Sequence, residues 1–97
     1  MIRHVFMMKF KPEVSQEQQR EFAKHMAKDM EQIPGIKNPI VGAALDIEGK
    51  PAYDLALYID FDDEAGLDAY LNNPIHKAGE AGLSTVCSEF LVLDCLY

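Results

Sequence analysis

The sequence predicts an α+β fold in which two helices cover one face of a four-stranded antiparallel sheet, and three observations carry that prediction. The hydrophobic pattern alternates between period two and period 3.6 in the order strand, helix, strand, strand, helix, strand. Turn-forming residues punctuate every change of period. The 97 residues suffice for one domain, 1–97, with a single modest core.

The first strand, Ile2 to Lys11, places Ile2, His4, Phe6, Met8 and Phe10 on one face and Arg3, Val5, Met7 and Lys9 on the other. Pro12 ends it. Ser15 followed by Gln18 is a capping-box signature, and it opens a helix to about Ile33 whose apolar stripe is Phe22, Met26, Met30 and Ile33. Pro34-Gly35 stops that helix. A second strand of weaker pattern, Asn38 to Ile47, turns through Glu48-Gly49-Lys50-Pro51 into a third, Tyr53 to Phe61. In the third strand Tyr53, Leu55, Leu57, Ile59 and Phe61 share a face. Asp62 is the expected cap of a short helix carrying Leu67, Tyr70 and Leu71. Asn73-Pro74 breaks it and begins a further turn through Ala78. A last strand runs from about Cys87 to Tyr97. This βαββαβ order is the split-βαβ, ferredoxin-like pattern.

Nine basic against sixteen acidic residues give a formal charge of -7, which disfavours nucleic acid and anionic membrane surfaces as partners. Basic residues interrupt the apolar N-terminal stretch and no small-residue cleavage site follows, so neither a signal peptide nor a membrane span is expected and the location is read as cytoplasmic. Cys87 and Cys95 fall in one strand, roughly 26 Å apart at about 3.3 Å per residue. That exceeds the reach of a disulfide, so both are expected to be reduced, buried and structural. His76 and Glu80 have helical spacing, but two ligands do not make a zinc site. The acidic run Asp60, Asp62, Asp63 and Glu64 lacks the loop glycine and alternating ligands of a calcium loop and is read as a solvated helix start. No metal and no cofactor are expected.

With both helices on one face, Val5, Met7 and either Leu91/Leu93 or Phe90/Val92 are left facing outward. An apolar sheet face of this kind is an association surface, and a second copy is its simplest complement, so a homodimer is expected.

Several segments in order resemble the stress-responsive A/B barrel family, also called the dimeric alpha-beta barrel or Dabb domain. They are Ile2-Arg3-His4-Val5, Ile33-Pro34-Gly35-Ile36, Val41-Gly42, Tyr53-Asp54-Leu55-Ala56-Leu57, Phe61, Tyr70-Leu71, Asn73-Pro74-Ile75-His76 and Asp94. The resemblance implies two ferredoxin-like sheets facing each other in a homodimeric barrel. It is similar, within that family, to plant polyketide cyclases that close a linear tetraketide by aldol condensation with a tyrosine like Tyr70, a histidine like His76 and a first-strand histidine like His4. Those cyclases have a further pocket tyrosine where this chain has Met26, and a more aromatic pocket than Gly79 and Gly82 allow. Related barrels include cofactor-independent monooxygenases and haem-degrading enzymes, but no haem-ligand pattern is present.

Topology, with the first and third strands taken as parallel neighbours, brings His4 and His76 to one pocket edge. Phe6, Met8, Phe22, Met26, Leu57 and Leu71 are its expected walls, and His4, Tyr70 and His76 its polar groups, the usual form of a small-molecule site. In the enzymatic reading His76 is a general base that removes a proton alpha to a carbonyl, Tyr70 donates to the developing enolate oxygen, and His4 orients substrate or a water. The ligand is then a small apolar carbonyl or polyketide-like compound. In the alternative reading the chain is a non-catalytic stress-responsive or accessory module acting through dimerisation or partner binding. His4 and His76 are then structural, bonded to backbone or to Asp94. His25, beside the stripe of the first helix, is expected at the surface.

Overall fold

Strand β1 (Ile2–Phe10) keeps the alternation of its sequence: Ile2, His4, Met8 and Phe10 are buried beneath the helices, while Arg3, Val5 and Met7 on the other face are half-buried. The structure, a computed structural model, describes residues 1–97. Helix α1 (Gln16–Gln32) starts at Ser15, whose hydroxyl accepts from the Gln18 amide at 3.1 Å while the Gln18 side chain accepts from the Ser15 amide at 2.8 Å. This is the reciprocal cap expected from the sequence. The chain continues through β2 (Lys37–Ala43), β3 (Leu55–Phe61), α2 (Glu64–Asn72), α3 (Pro74–Leu83) and β4 (Cys87–Leu96).

The four strands form one sheet in the order β2-β3-β1-β4, and every pair is antiparallel. This is the α+β ferredoxin-like fold. The first and third strands are therefore antiparallel, not parallel as expected. The helical crossover through α1 returns β2 in the direction of β1, and the connection after β2 reverses the chain before β3 is laid beside β1. Ile2 consequently faces Phe61, and His4 faces Ile59.

Other boundaries moved for local reasons. The turn after Asn73 is a ten-residue helix to Leu83, because Asn73 accepts from the Ile75 amide at 2.9 Å and Pro74 occupies the first turn. Strand β2 ends at Ala43, and residues 44–46 carry no regular structure, so Leu45 and Ile47 are exposed apolar residues outside the sheet. Asp63, not Asp62, caps α2 by accepting from Gly66 at 3.0 Å, while Asp62 pairs with Lys37 at 2.6 Å.

The core lies between the helices and the β1/β3 pair. One cluster joins Met30, Ile33, Leu57, Ile59, Phe61 and Tyr70, and a second joins Met8, Phe10 and Leu55. The opposite face carries Val5 and Met7, which pair across with Leu93 and Leu91. Leu91 and Leu93 thus turn away from the helices and remain 44% and 54% exposed. At one end of this face Asp60 is buried in a bidentate pair with Arg3, at 2.8 and 3.0 Å, and accepts from Asn38 at 3.2 Å. Asp60 is thus no part of a solvated helix start. The Arg3 guanidinium holds its carboxyl well below the usual range, more than offsetting its burial. Asn38 reaches it from a left-handed backbone, φ 51°, a conformation asparagine tolerates better than most side chains. Both cysteines are free, Cys87 facing Phe10 and Cys95 facing Arg3 at opposite ends of β1. Neither is buried as expected: Cys87 is half-buried and Cys95 exposed, because β4 is an edge strand. No helix is long and apolar enough to cross a membrane.

Candidate functional site

Two short helices and the first strand bring three rings together. Helix α2 packs on the end of β3 with Gly66 beside Phe61, where a Cβ would sit at ordinary contact distance, 3.4 Å from the Phe61 Cβ. That approach buries Tyr70 against Phe61, with ring centroids 5.4 Å apart, and edge-on against His4, also at 5.4 Å. Asn73 ends α2 and caps α3, so the chain reverses within a few residues and lays His76 over Tyr70 with ring centroids 4.3 Å apart. The meeting expected of His4 and His76 thus occurs around Tyr70. It does so because α2 is short and stays over the end of β3, which in the antiparallel sheet lies beside the start of β1.

The three rings open on a cavity of about 370 Å³ between the sheet and the helices, where eleven of seventeen lining residues are apolar. Phe6, Phe22, Met26, Leu57 and Leu71 line it as expected. Met8 does not. It is fully buried in the cluster with Phe10 and Leu55. Phe90 and Val92, on the helix-facing side of β4, complete the wall. The unbroken apolar run Phe90 to Leu93 concealed which pair faced inward, and only its register against Phe6 and Met8 settles it. Gly79 lines the cavity and Gly82 does not; nothing stands within 4 Å of a Cβ built at Gly79. His25 is 75% exposed, as expected of a surface residue, yet it reaches the rim and lies 3.6 Å from Asp29.

Each site ring has a defined electrostatic setting. His4 is buried, and its Nδ1 lies 2.6 Å from Asp94 Oδ1 in a bond that ties β1 to β4. In the neutral ring Nδ1–H donates to the carboxylate, leaving Nε2 as an acceptor. His76 Nε2 lies 3.1 Å from Glu80. Burial lowers the His76 pKa from its ordinary value, the Glu80 charge opposing this only in part. The Tyr70 phenol is pushed up to about 12, chiefly by burial and then by the charges of Asp94, Glu80 and Asp29. It is therefore a proton-bearing donor throughout the neutral range. No group of three or more His, Cys, Asp or Glu side chains is arranged to hold a metal ion.

The His76 shift has a stability consequence. Its folded-state pKa lies below the unfolded value of about 6.5, so the unfolded chain takes up the proton first and the contribution is lost as pH falls through that range. Melting temperatures of the wild type and His76→Gln between about pH 7.5 and pH 5 test this. The wild type should lose more on acidification, and parallel curves would contradict the assignment.

The family model of the stress responsive A/B barrel domain, Dabb, matches residues 2–96, and the chain belongs to this family. Among solved structures it is similar to a dimeric ferredoxin-like protein of unknown function from Thermobifida fusca YX, at 27% identity and TM-score 0.87 over 99% of this chain and 90% of that one. It shares its fold with a Dabb family protein from Mesorhizobium loti, at 21% identity and TM-score 0.85 over 99% and 95% of the two chains. It also shares its fold with a hydroxynitrile lyase from Passiflora edulis, at 18% identity and TM-score 0.87 over 99% and 92%. No curated protein matches the chain.

Proposed function

We propose that this chain is a homodimeric barrel protein that binds a small apolar carbonyl or polyketide-like compound in the cavity and transforms it by proton transfer without a cofactor. The observation that carries this reading is the convergence of His4, Tyr70 and His76 on one largely apolar cavity. A cavity of that composition is the common form of a small-molecule site.

In the proposed step a ring nitrogen of His76 takes the proton alpha to the carbonyl. The C–H electron pair becomes the enolate double bond, and the carbonyl oxygen takes the charge while accepting from the Tyr70 hydroxyl. The enolate carbon either recovers that proton or forms a carbon–carbon bond to a second carbonyl of the same molecule, whose oxygen then receives the proton from His76. The low pKa of His76 supports its role as a neutral base, and the high pKa of Tyr70 its role as donor. His4, held by Asp94, orients the substrate or a water through Nε2. The same fold in a protein named as a hydroxynitrile lyase supports a catalytic use of this scaffold. Free thiols at Cys87 and Cys95 suit a reducing compartment such as the cytoplasm.

Deuterium exchange tests the reading without knowledge of the natural substrate. Phenylacetone in deuterated buffer should lose its α-protons faster with the protein than without it, and no acceleration would refute the proton-transfer step. The competing reading, a non-catalytic module acting through dimerisation or partner binding, draws on the His4 bond to Asp94 as a tie between strands. It predicts that His4→Ala costs about 0.5–1.5 kcal/mol of stability and changes the binding of no small ligand.

A further inference from the structure

The carboxylates are the charged side chains of the cavity wall, and they are all of one sign. Its wall contains no Lys or Arg but does contain Asp29 and Glu80, and a third carboxylate, Asp94, stands behind His4. All three histidines of the chain line this cavity, and each has one of these carboxylates beside it: His4 at 2.6 Å, His76 at 3.1 Å and His25 at 3.6 Å. An imidazolium formed at any of them is neutralised by its own neighbour and leaves no net positive charge for an incoming anion. The neighbouring cation, Lys77, is exposed and outside the wall, and its charge is the smallest of the influences on His76. Helix α3 begins at the cavity, but Asn73 already accepts from its Ile75 amide, so that end is no vacant anion site. The chain's overall charge of -7 adds a repulsive background.

We propose that the cavity selects uncharged compounds and rejects those bearing a carboxylate or phosphate, with Glu80 as the specificity-determining residue at its mouth. The inference rests on the small-carbonyl reading above and narrows its substrate class. Free acids and phosphorylated compounds are excluded, and neutral ketones, aldehydes and esters are admitted. A cation is disfavoured too, because its attraction to the carboxylates does not replace the hydration it loses among eleven apolar lining residues. Glu80 is exposed, with 69% of its side chain accessible, so its charge acts on a bound ligand partly through solvent and its effect is screened by salt.

Three probes of nearly one shape test this: methyl 4-formylbenzoate, its free acid 4-formylbenzoate, and 4-(trimethylammonio)benzaldehyde. Each is titrated into the whole protein at about pH 8, above the ordinary value from which burial lowers His76. The ester should bind at least about tenfold more tightly than the acid at low salt. The ratio should narrow by roughly threefold or more in Glu80→Gln and also narrow in the wild type at about 0.5 M salt. Glu17→Gln, on an exposed residue at the far end of α1, should leave the ratio unchanged. Equal binding of ester and acid would overturn the proposal, as would a ratio unmoved by Glu80→Gln or tightest binding of the cation. Binding of no probe would overturn the carbonyl reading along with it, whereas binding without discrimination overturns this inference alone.

Discussion

Replacing His76 with Ala is expected to slow the exchange of phenylacetone α-protons by about 10²- to 10⁴-fold, the usual contribution of a positioned general base. Tyr70→Phe should cost roughly 10²- to 10³-fold, because it removes the hydroxyl proposed to donate to the developing enolate oxygen and leaves the ring that packs on His4 and His76. The two effects have separate signatures. Loss of the base removes the proton acceptor itself, whereas loss of the phenol leaves an acceptor working against an unstabilised oxyanion. Exchange followed by proton NMR on both variants, with melting temperature recorded alongside, distinguishes a chemical from a structural role. A lower melting temperature with unchanged exchange would return both residues to the core.

The second large effect concerns assembly. Met7 lies in the middle of the uncovered sheet face, between Ala56 on one side and Leu91 on the other. If a second copy covers this face, Met7→Asp buries a carboxylate with no partner there, at a cost of about 3–5 kcal/mol per uncompensated charge. Sedimentation velocity at micromolar concentration should give a dimer for the wild type and a monomer or aggregate for the variant. A monomeric wild type would remove the homodimer from the account.

Most of the fold was legible because its elements announce themselves in short-range chemistry. The alternation of Ile2 to Phe10, the Ser15/Gln18 cap and the Asn73-Pro74 break each act within a few residues, where local sequence decides. What was misread depended on distant partners. The relative direction of β1 and β3 follows from the path of the chain through α1 and β2, and no periodicity within either strand reports it. Asp60 read as one of an acidic run, yet it is buried, because Arg3 and Asn38 come to it from two other strands. Met8 shares a strand face with His4 and Phe6, but it is packed fully into the cluster with Phe10 and Leu55 and does not reach the cavity. The rings of the site were visible as residues. Their carboxylate partners were less so: Asp94 and Glu80 were seen, but the acidic character of the mouth emerged only when Asp29 was brought to the same rim.

The central claim is that a small uncharged carbonyl compound occupies the cavity between His4, Tyr70 and His76. Titration of the protein with phenylacetone, followed through the histidine ring resonances and assigned with single His→Gln variants, tests it most directly. The account predicts saturable shifts at His4 and His76 with a dissociation constant of about 1 mM or tighter, and their loss when Gly79→Leu fills the space that the glycine leaves open. Ring resonances that stay fixed through the titration, or shifts that persist unchanged in Gly79→Leu, would contradict it.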